Sequence, residues 1–133
     1  MNANYDKSWD YEETEDGNIP RNEEAYKKKW AEWKNRDWMQ WLQQNLSFPF
    51  MVERVEDDDD AYFGDIAENE PFTLGHKMKV LELTFEDAQY GIIVKVREGR
   101  KVGHVPLCDL EVTSKSDKNY WPVREYVVWF ANL

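Results

Sequence analysis

Glu56, Asp57, Asp58, Asp59 and Asp60 stand in an unbroken row near the middle of the chain, with Asp65, Glu68 and Glu70 close behind. Acidic runs normally belong to tails, where solvent screens them and the backbone spreads them apart. This run lies between two stretches that read as β-strands of one folded domain. A fold that holds both ends of such a segment crowds its carboxylates. Their repulsion is either tolerated or relieved by a cation, and the hard, oxygen-seeking cation suited to such a cluster is Ca²⁺.

The charge is as uneven as the run suggests. Residues 51–70 hold nine acids and one base, and residues 1–20 hold six acids and one base. The rest is close to neutral, so the formal net charge of −10 sits in two patches. Nucleic acid is a poor partner for such a chain, because phosphate contacts need clustered Lys and Arg. The same charge argues against anionic membranes, whereas cations and basic proteins suit it. At 133 residues, 15% of them aromatic, the chain suits one domain with a real core. A single cysteine, Cys108, allows no intrachain disulfide and fits a reducing cytoplasm. The first residues lack the apolar segment of a secretory signal, and no apolar run has the length of a membrane span.

Residues 1–21 read as an acidic, mobile arm with Tyr5, Trp9 and Tyr11 as docking points, and residues 22–133 as one domain. A helix is expected over 22–46. Asn22 caps it, Glu23 and Glu24 suit the dipole, and Trp30, Trp33, Trp38, Trp41, Leu42 and Leu46 form an apolar stripe. Asp37 followed by Gln40 resembles a capping box, so one helix or two are equally compatible with the sequence. Strands are expected at 48–55, 77–83, 90–98, 101–106 and 110–113. Pro49 places the first at a sheet edge, and Glu98-Gly99-Arg100 makes a tight hairpin. A final helix is expected over 122–131, opened by Pro122, with Val123, Tyr126, Val127 and Phe130 on its buried face. The fold class is therefore mainly β with flanking helices, and the loop order suits a small five-stranded SH3-like barrel over 48–113.

In such a barrel the long acidic loop and the short loop 84–88 share one end, which would add Glu86 and Asp87 to the cluster. The candidate metal ligands are Asp57, Asp58, Asp59 and Asp60, then Glu56 and Asp65, with Glu86 and Asp87 completing the shell. Neighbouring side chains of an extended backbone point to opposite sides, so Asp57 with Asp59 and Asp58 with Asp60 form separate sets. An EF-hand begun at Asp59 fails, because Ala61 and Phe63 would occupy ligating places. Mg²⁺ is less suitable than Ca²⁺ because it demands near-ideal octahedral geometry. Zinc has only His76, His104 and Cys108 to draw on. A Cys108–His104 nucleophile pair lacks an orienting third group, and buried cysteine is commonly inert packing. An acidic loop can also be a purely solvated surface, and composition alone favours that over a specific metal site.

Several segments together carry a family likeness. They are Trp41-Leu42 with Leu46-Ser47-Phe48-Pro49-Phe50, then Tyr90-Gly91-Ile92-Ile93-Val94-Lys95-Val96, then Val105-Pro106-Leu107-Cys108-Asp109-Leu110-Glu111, and Tyr126-Val127-Val128-Trp129-Phe130-Ala131-Asn132. In this combination, over about residues 37–133, the chain resembles the CcbP-type calcium-binding proteins of cyanobacteria and other bacteria. The resemblance implies a small β-barrel with helical flanks, Ca²⁺ bound by acidic residues without an EF-hand, and buffering of cytoplasmic calcium; the residues themselves, with no assembled nucleophile or acid pair, lead to the expectation of a protein that is not an enzyme. A second expectation comes from the residues themselves. An SH3-like module with Tyr62, Phe63 and Trp121 beside the acids would bind a basic protein partner.

Overall fold

The computed structural model describes residues 5–56 and 70–133. These fall into two units, Met1–Asp37 and Trp38–Leu133.

The N-terminal unit carries a short antiparallel hairpin, β1 (Glu12–Thr14) and β2 (Gly17–Ile19), and helix α1 (Glu23–Trp33). Asn22 starts α1 through its side-chain oxygen, which accepts from the Ala25 N–H at 3.1 Å. That bond satisfies one of the donors every helix start leaves open. The unit is held by aromatics: Trp9 and Trp33 are both buried and meet edge to face with centroids 5.3 Å apart. Tyr26 and Trp30 also pack on Trp33. The segment expected as an arm thus contributes Trp9 to a small aromatic cluster.

The second unit begins with helix α2 (Trp38–Asn45), so the chain uses two helices where one or two were open. Five strands follow: β3 (Phe50–Arg54), β4 (Lys77–Asp87), β5 (Gly91–Glu98), β6 (Lys101–Pro106) and β7 (Leu110–Val112). A single 3₁₀ turn, Leu107–Asp109, joins β6 to β7, and helix α3 (Tyr120–Ala131) closes the unit. All ladders are antiparallel and the strand order is β6-β5-β4-β3-β7. Alternate residues Met78, Val80, Val94, Val96 and Val52 are buried in the core, as the period of two requires. Trp38 packs against Tyr126 and Trp129 at 5.5 and 5.1 Å, fixing α2 on α3. Asn119 joins the same helices by another route. Its carboxamide accepts from Ser47 N at 2.7 Å and donates to Ser47 O at 3.1 Å.

Four expectations are corrected. No ladder joins β6 to β7, so the five strands form an open sheet and not a closed barrel. The residues between them are spent on the 3₁₀ turn, and β7 is only three residues long. The strand after Pro49 lies inside the sheet, between β4 and β7; Pro49 precedes the strand, so its missing N–H costs no ladder bond. The final helix starts at Tyr120, ahead of Pro122, because Asp117 accepts from the N–H groups of Asn119 and Tyr120 and opens the turn earlier. Strand β4 runs on to Asp87, well past Leu83. Its register against β5 skips at Leu81 and at Thr84, two bulges that break the alternation read from the sequence.

Candidate functional site

Asp57, Asp58, Asp59, Asp60 and Asp65 lie outside the described residues, as do Tyr62 and Phe63. The two roots of that segment are described, and they are tied together by a single side chain. Arg54, the lone base between residues 51 and 70, ends β3. Its Nε donates to the Glu56 carbonyl at 3.2 Å, its Nη1 to the Phe72 carbonyl at 3.0 Å, and its Nη2 to Asp109 Oδ2 at 2.8 Å. A planar guanidinium suits this task because its donors point in fixed directions. Backbone bonds reinforce it: Val55 N and Glu56 N both donate to the Asp109 carbonyl, and Gly75 N donates to the Arg54 carbonyl.

The exit root is also held from the β5–β6 hairpin. Glu98 Oε1 accepts from Phe72 N at 2.8 Å, and His76 Nδ1 lies 2.9 Å from Glu98 Oε2. Phe72 adopts φ 68°, a left-handed conformation that costs a non-glycine residue about 1–2 kcal/mol. Its ring covers Gly103, where a Cβ would come within 2.6 Å of Phe72 Cε2. Gly103 is therefore the residue that lets the ring sit there.

Glu56 is exposed at the entry root. Glu86 and Asp87 are not loop residues, as the sequence reading had them, but the last two of β4, opposite Ile92 and Gly91. The Asp87 carboxylate caps the turn that follows: its Oδ1 accepts from Gln89 N at 2.8 Å and Tyr90 N at 2.9 Å. The Tyr90 N–H bond first, then that from Gln89, holds its pKa below the ordinary 3.8. Such a carboxylate stays ionised and keeps a second oxygen outside these turn bonds. The 3₁₀ turn borders both regions, since Cys108 Sγ donates to the Tyr90 carbonyl at 3.7 Å while Asp109 binds the β3 exit.

Among the described residues, no three His, Cys, Asp or Glu side chains form a group able to hold an ion. Their donor chemistry nevertheless fits Ca²⁺, since Glu56, Glu86 and Asp87 offer only hard oxygens. His76, His104 and Cys108 do not form a zinc group among these residues either. His76 is engaged with Glu98, and His104, on β6, lies opposite Lys95 of β5. An open cleft beside Glu56 is lined by Val55, Cys108, Leu110, Tyr120, Val123 and Arg124. No helix of the described residues is long and apolar enough to cross a membrane.

Sequence reasoning missed the clamp of Arg54, Phe72, Glu98 and Asp109. One signal for it was visible: an isolated arginine among nine acids is the natural tie for a segment that otherwise repels itself.

The CcbP family model, described as calcium binding, matches residues 24–130. Among solved structures, that of Anabaena CcbP superimposes with a TM-score of 0.56 at 20% identity, covering 85% of this chain and 94% of that one. No curated protein sequence matches. A family model spanning most of the chain decides membership: the chain belongs to the CcbP family of calcium-binding proteins, and Ca²⁺ is its ion.

Proposed function

We propose that this protein takes up Ca²⁺ through its acidic segment, as a non-enzymatic buffer or sensor of cytoplasmic calcium. The ligands in this reading are Asp57, Asp58, Asp59 and Asp60, then Glu56 and Asp65, with Glu86 and Asp87 approaching from the end of β4. The observation that carries the reading is the placement of the clamp. Between Arg54's two carbonyl partners, Glu56 and Phe72, the chain holds seven acids and no base. A segment so charged, with its ends drawn together by hydrogen bonds, gains from a divalent ion what it loses to self-repulsion. The single cysteine supports a reducing compartment.

Calorimetric titration with Ca²⁺ tests it. The expected result is saturable binding that disappears when Asp57, Asp58, Asp59 and Asp60 are all changed to Asn, with the fold retained. A wild-type protein that takes up no Ca²⁺ at millimolar concentration would defeat the reading. Buffer and sensor separate by a second measurement: a sensor changes its hydrodynamic radius or its tryptophan emission on binding, and a buffer does not.

A second reading is a protein-interaction module whose acidic surface binds a basic partner: Glu56 and Glu111 line one cleft, with Arg124 beside them. Capture of such a partner equally with and without chelator would favour it over an ion-driven role.

A further inference from the structure

We propose that β6 is a docking edge for an acidic, extended segment of another protein, which adds a strand to the sheet and sets alternate carboxylates against Lys95 and Arg97. The inference is independent of the calcium reading and uses none of its ligands.

Local charge is the first observation. The chain carries −10 overall, yet residues 91–106, which are β5, β6 and their turn, hold four bases and one acid. The bases are Lys95, Arg97, Arg100 and Lys101. The acid, Glu98, is already engaged with Phe72 N and His76. Lys79 of β4 lies beside Arg97, and Glu82 lies beside Lys95. Among the described residues, none of these five bases closes an ion pair. Charges more than about 8 Å apart are largely screened at physiological ionic strength, so this local patch decides a contact here.

The open edge is the second observation. β6 lies at one end of the sheet, and among the described residues its backbone bonds only to β5. Such a row of unpaired N–H and C=O groups is a template for a further strand. Lysine or proline on an edge discourages pairing. Lys101 and Pro106 occupy the two ends of β6, but Val102 to Val105 include neither. The opposite edge, β7, is only three residues long.

Register joins the two observations. Val102 lies opposite Arg97 and His104 opposite Lys95. Both point to the outer face of the sheet: Val102 is 47% exposed and His104 is exposed, whereas Val94, Val96 and Val105 are buried. An added strand turns every second side chain to that face. Strands lie about 4.8 Å apart, so such a side chain starts about 10 Å from the β5 backbone. A glutamate reaching over Val102 or His104 therefore meets Arg97 or Lys95. A polyphosphate answers the charge but offers no N–H donors to the edge.

Titration of the full chain, in chelator, with a labelled peptide alternating Glu and Val tests the proposal, read by fluorescence anisotropy and amide exchange. Comparison probes are a Lys-Val peptide, a Glu-Pro peptide that keeps the charge but loses N–H donors, and a single-stranded oligonucleotide. The Glu-Val peptide is expected to bind best and to slow exchange of the β6 amides that face away from β5. Lys95→Gln combined with Arg97→Gln should weaken it several-fold, the size expected of two solvent-exposed ion pairs. Lys27→Gln with Lys28→Gln removes the same charge from exposed positions of α1 and should change nothing. Equal binding of any comparison probe would overturn strand addition by an acidic segment. So would β6 protection that grows with protein concentration in the absence of peptide, which marks a second copy as the occupant. No binding at the highest soluble peptide concentration would leave Lys101 and Pro106 as edge guards alone and defeat the proposal. Should the Lys95 and Arg97 variant fail to fold, the contrast between Glu-Val and Glu-Pro peptides on the wild type decides. None of these outcomes bears on calcium uptake.

Discussion

Arg54 Nη2 and Asp109 Oδ2 meet at 2.8 Å, and the two side chains keep only 14% and 9% of their accessible surface. A charge pair so shielded is costly to break, because the surviving partner stays buried without its counter-ion. Asp109→Ala is expected to destabilise the protein by about 3–5 kcal/mol. Urea unfolding measures this. A change below about 1 kcal/mol, the range of solvent-exposed pairs, would show that the pair is not shielded in solution.

Gly91 is tightly constrained. It has φ 73°, and a Cβ there would lie within 2.7 Å of Phe130 Cε1 and closer still to the Tyr126 hydroxyl. Gly91→Ala meets both a left-handed backbone and overpacking, for an expected loss of about 2–4 kcal/mol. Gly99→Ala offers a comparison: it also has positive φ, 61°, but open space around it. Its loss should be confined to the backbone part, and thermal melts of the two variants would separate the contributions.

Tyr126 is buried, and its hydroxyl accepts from Ile92 N at 2.9 Å. Tyr126→Phe leaves that N–H without an acceptor inside the core, an expected cost of about 1–3 kcal/mol. Burial pushes the phenol pKa above its ordinary 10.0, partly offset by the Ile92 N–H bond. A raised folded pKa contributes stability that is full below the unfolded value and lost as pH rises toward the folded one. Stability should therefore decline from about pH 10 upward, and less steeply in Tyr126→Phe. Unfolding curves between neutral pH and pH 11 test the sign.

Calcium selective for the folded state stabilises it by mass action. At free ligand one hundred times Kd the gain is roughly 2.7 kcal/mol. A melting temperature that rises with Ca²⁺ and returns with chelator is expected. An equal rise with Mg²⁺ would contradict the preference for a larger, less demanding coordination shell.

Much of the fold was legible as pattern. The hairpin of strands Gly91–Glu98 and Lys101–Pro106 follows from β-branched runs broken by Gly99. Strand β4 was read four residues short, since bulges at Leu81 and Thr84 shift the exposed and buried faces. The Thr84 hydroxyl, which donates to the Ile93 carbonyl at 2.7 Å, looks from sequence like the start of a polar loop. The five strands were countable, but barrel closure was not, because it depends on whether β6 and β7 hydrogen-bond to each other. Of the site, carboxylate abundance was visible and the tie at its roots was not.

By itself the sequence determined the kinds of interaction this protein can make. An alternating apolar pattern forms strands, aromatics find one another, and a base-free acidic segment either faces solvent or takes up positive charge. Tertiary structure alone decided which charge answers at the segment's roots. Arg54 is 18 residues from Phe72 and 55 from Asp109 along the chain, and only the sheet and the 3₁₀ turn bring all three within hydrogen-bond reach. Hydrogen bonds act over about 3 Å and need alignment, so such contacts belong to the folded geometry and leave no periodic trace in the sequence.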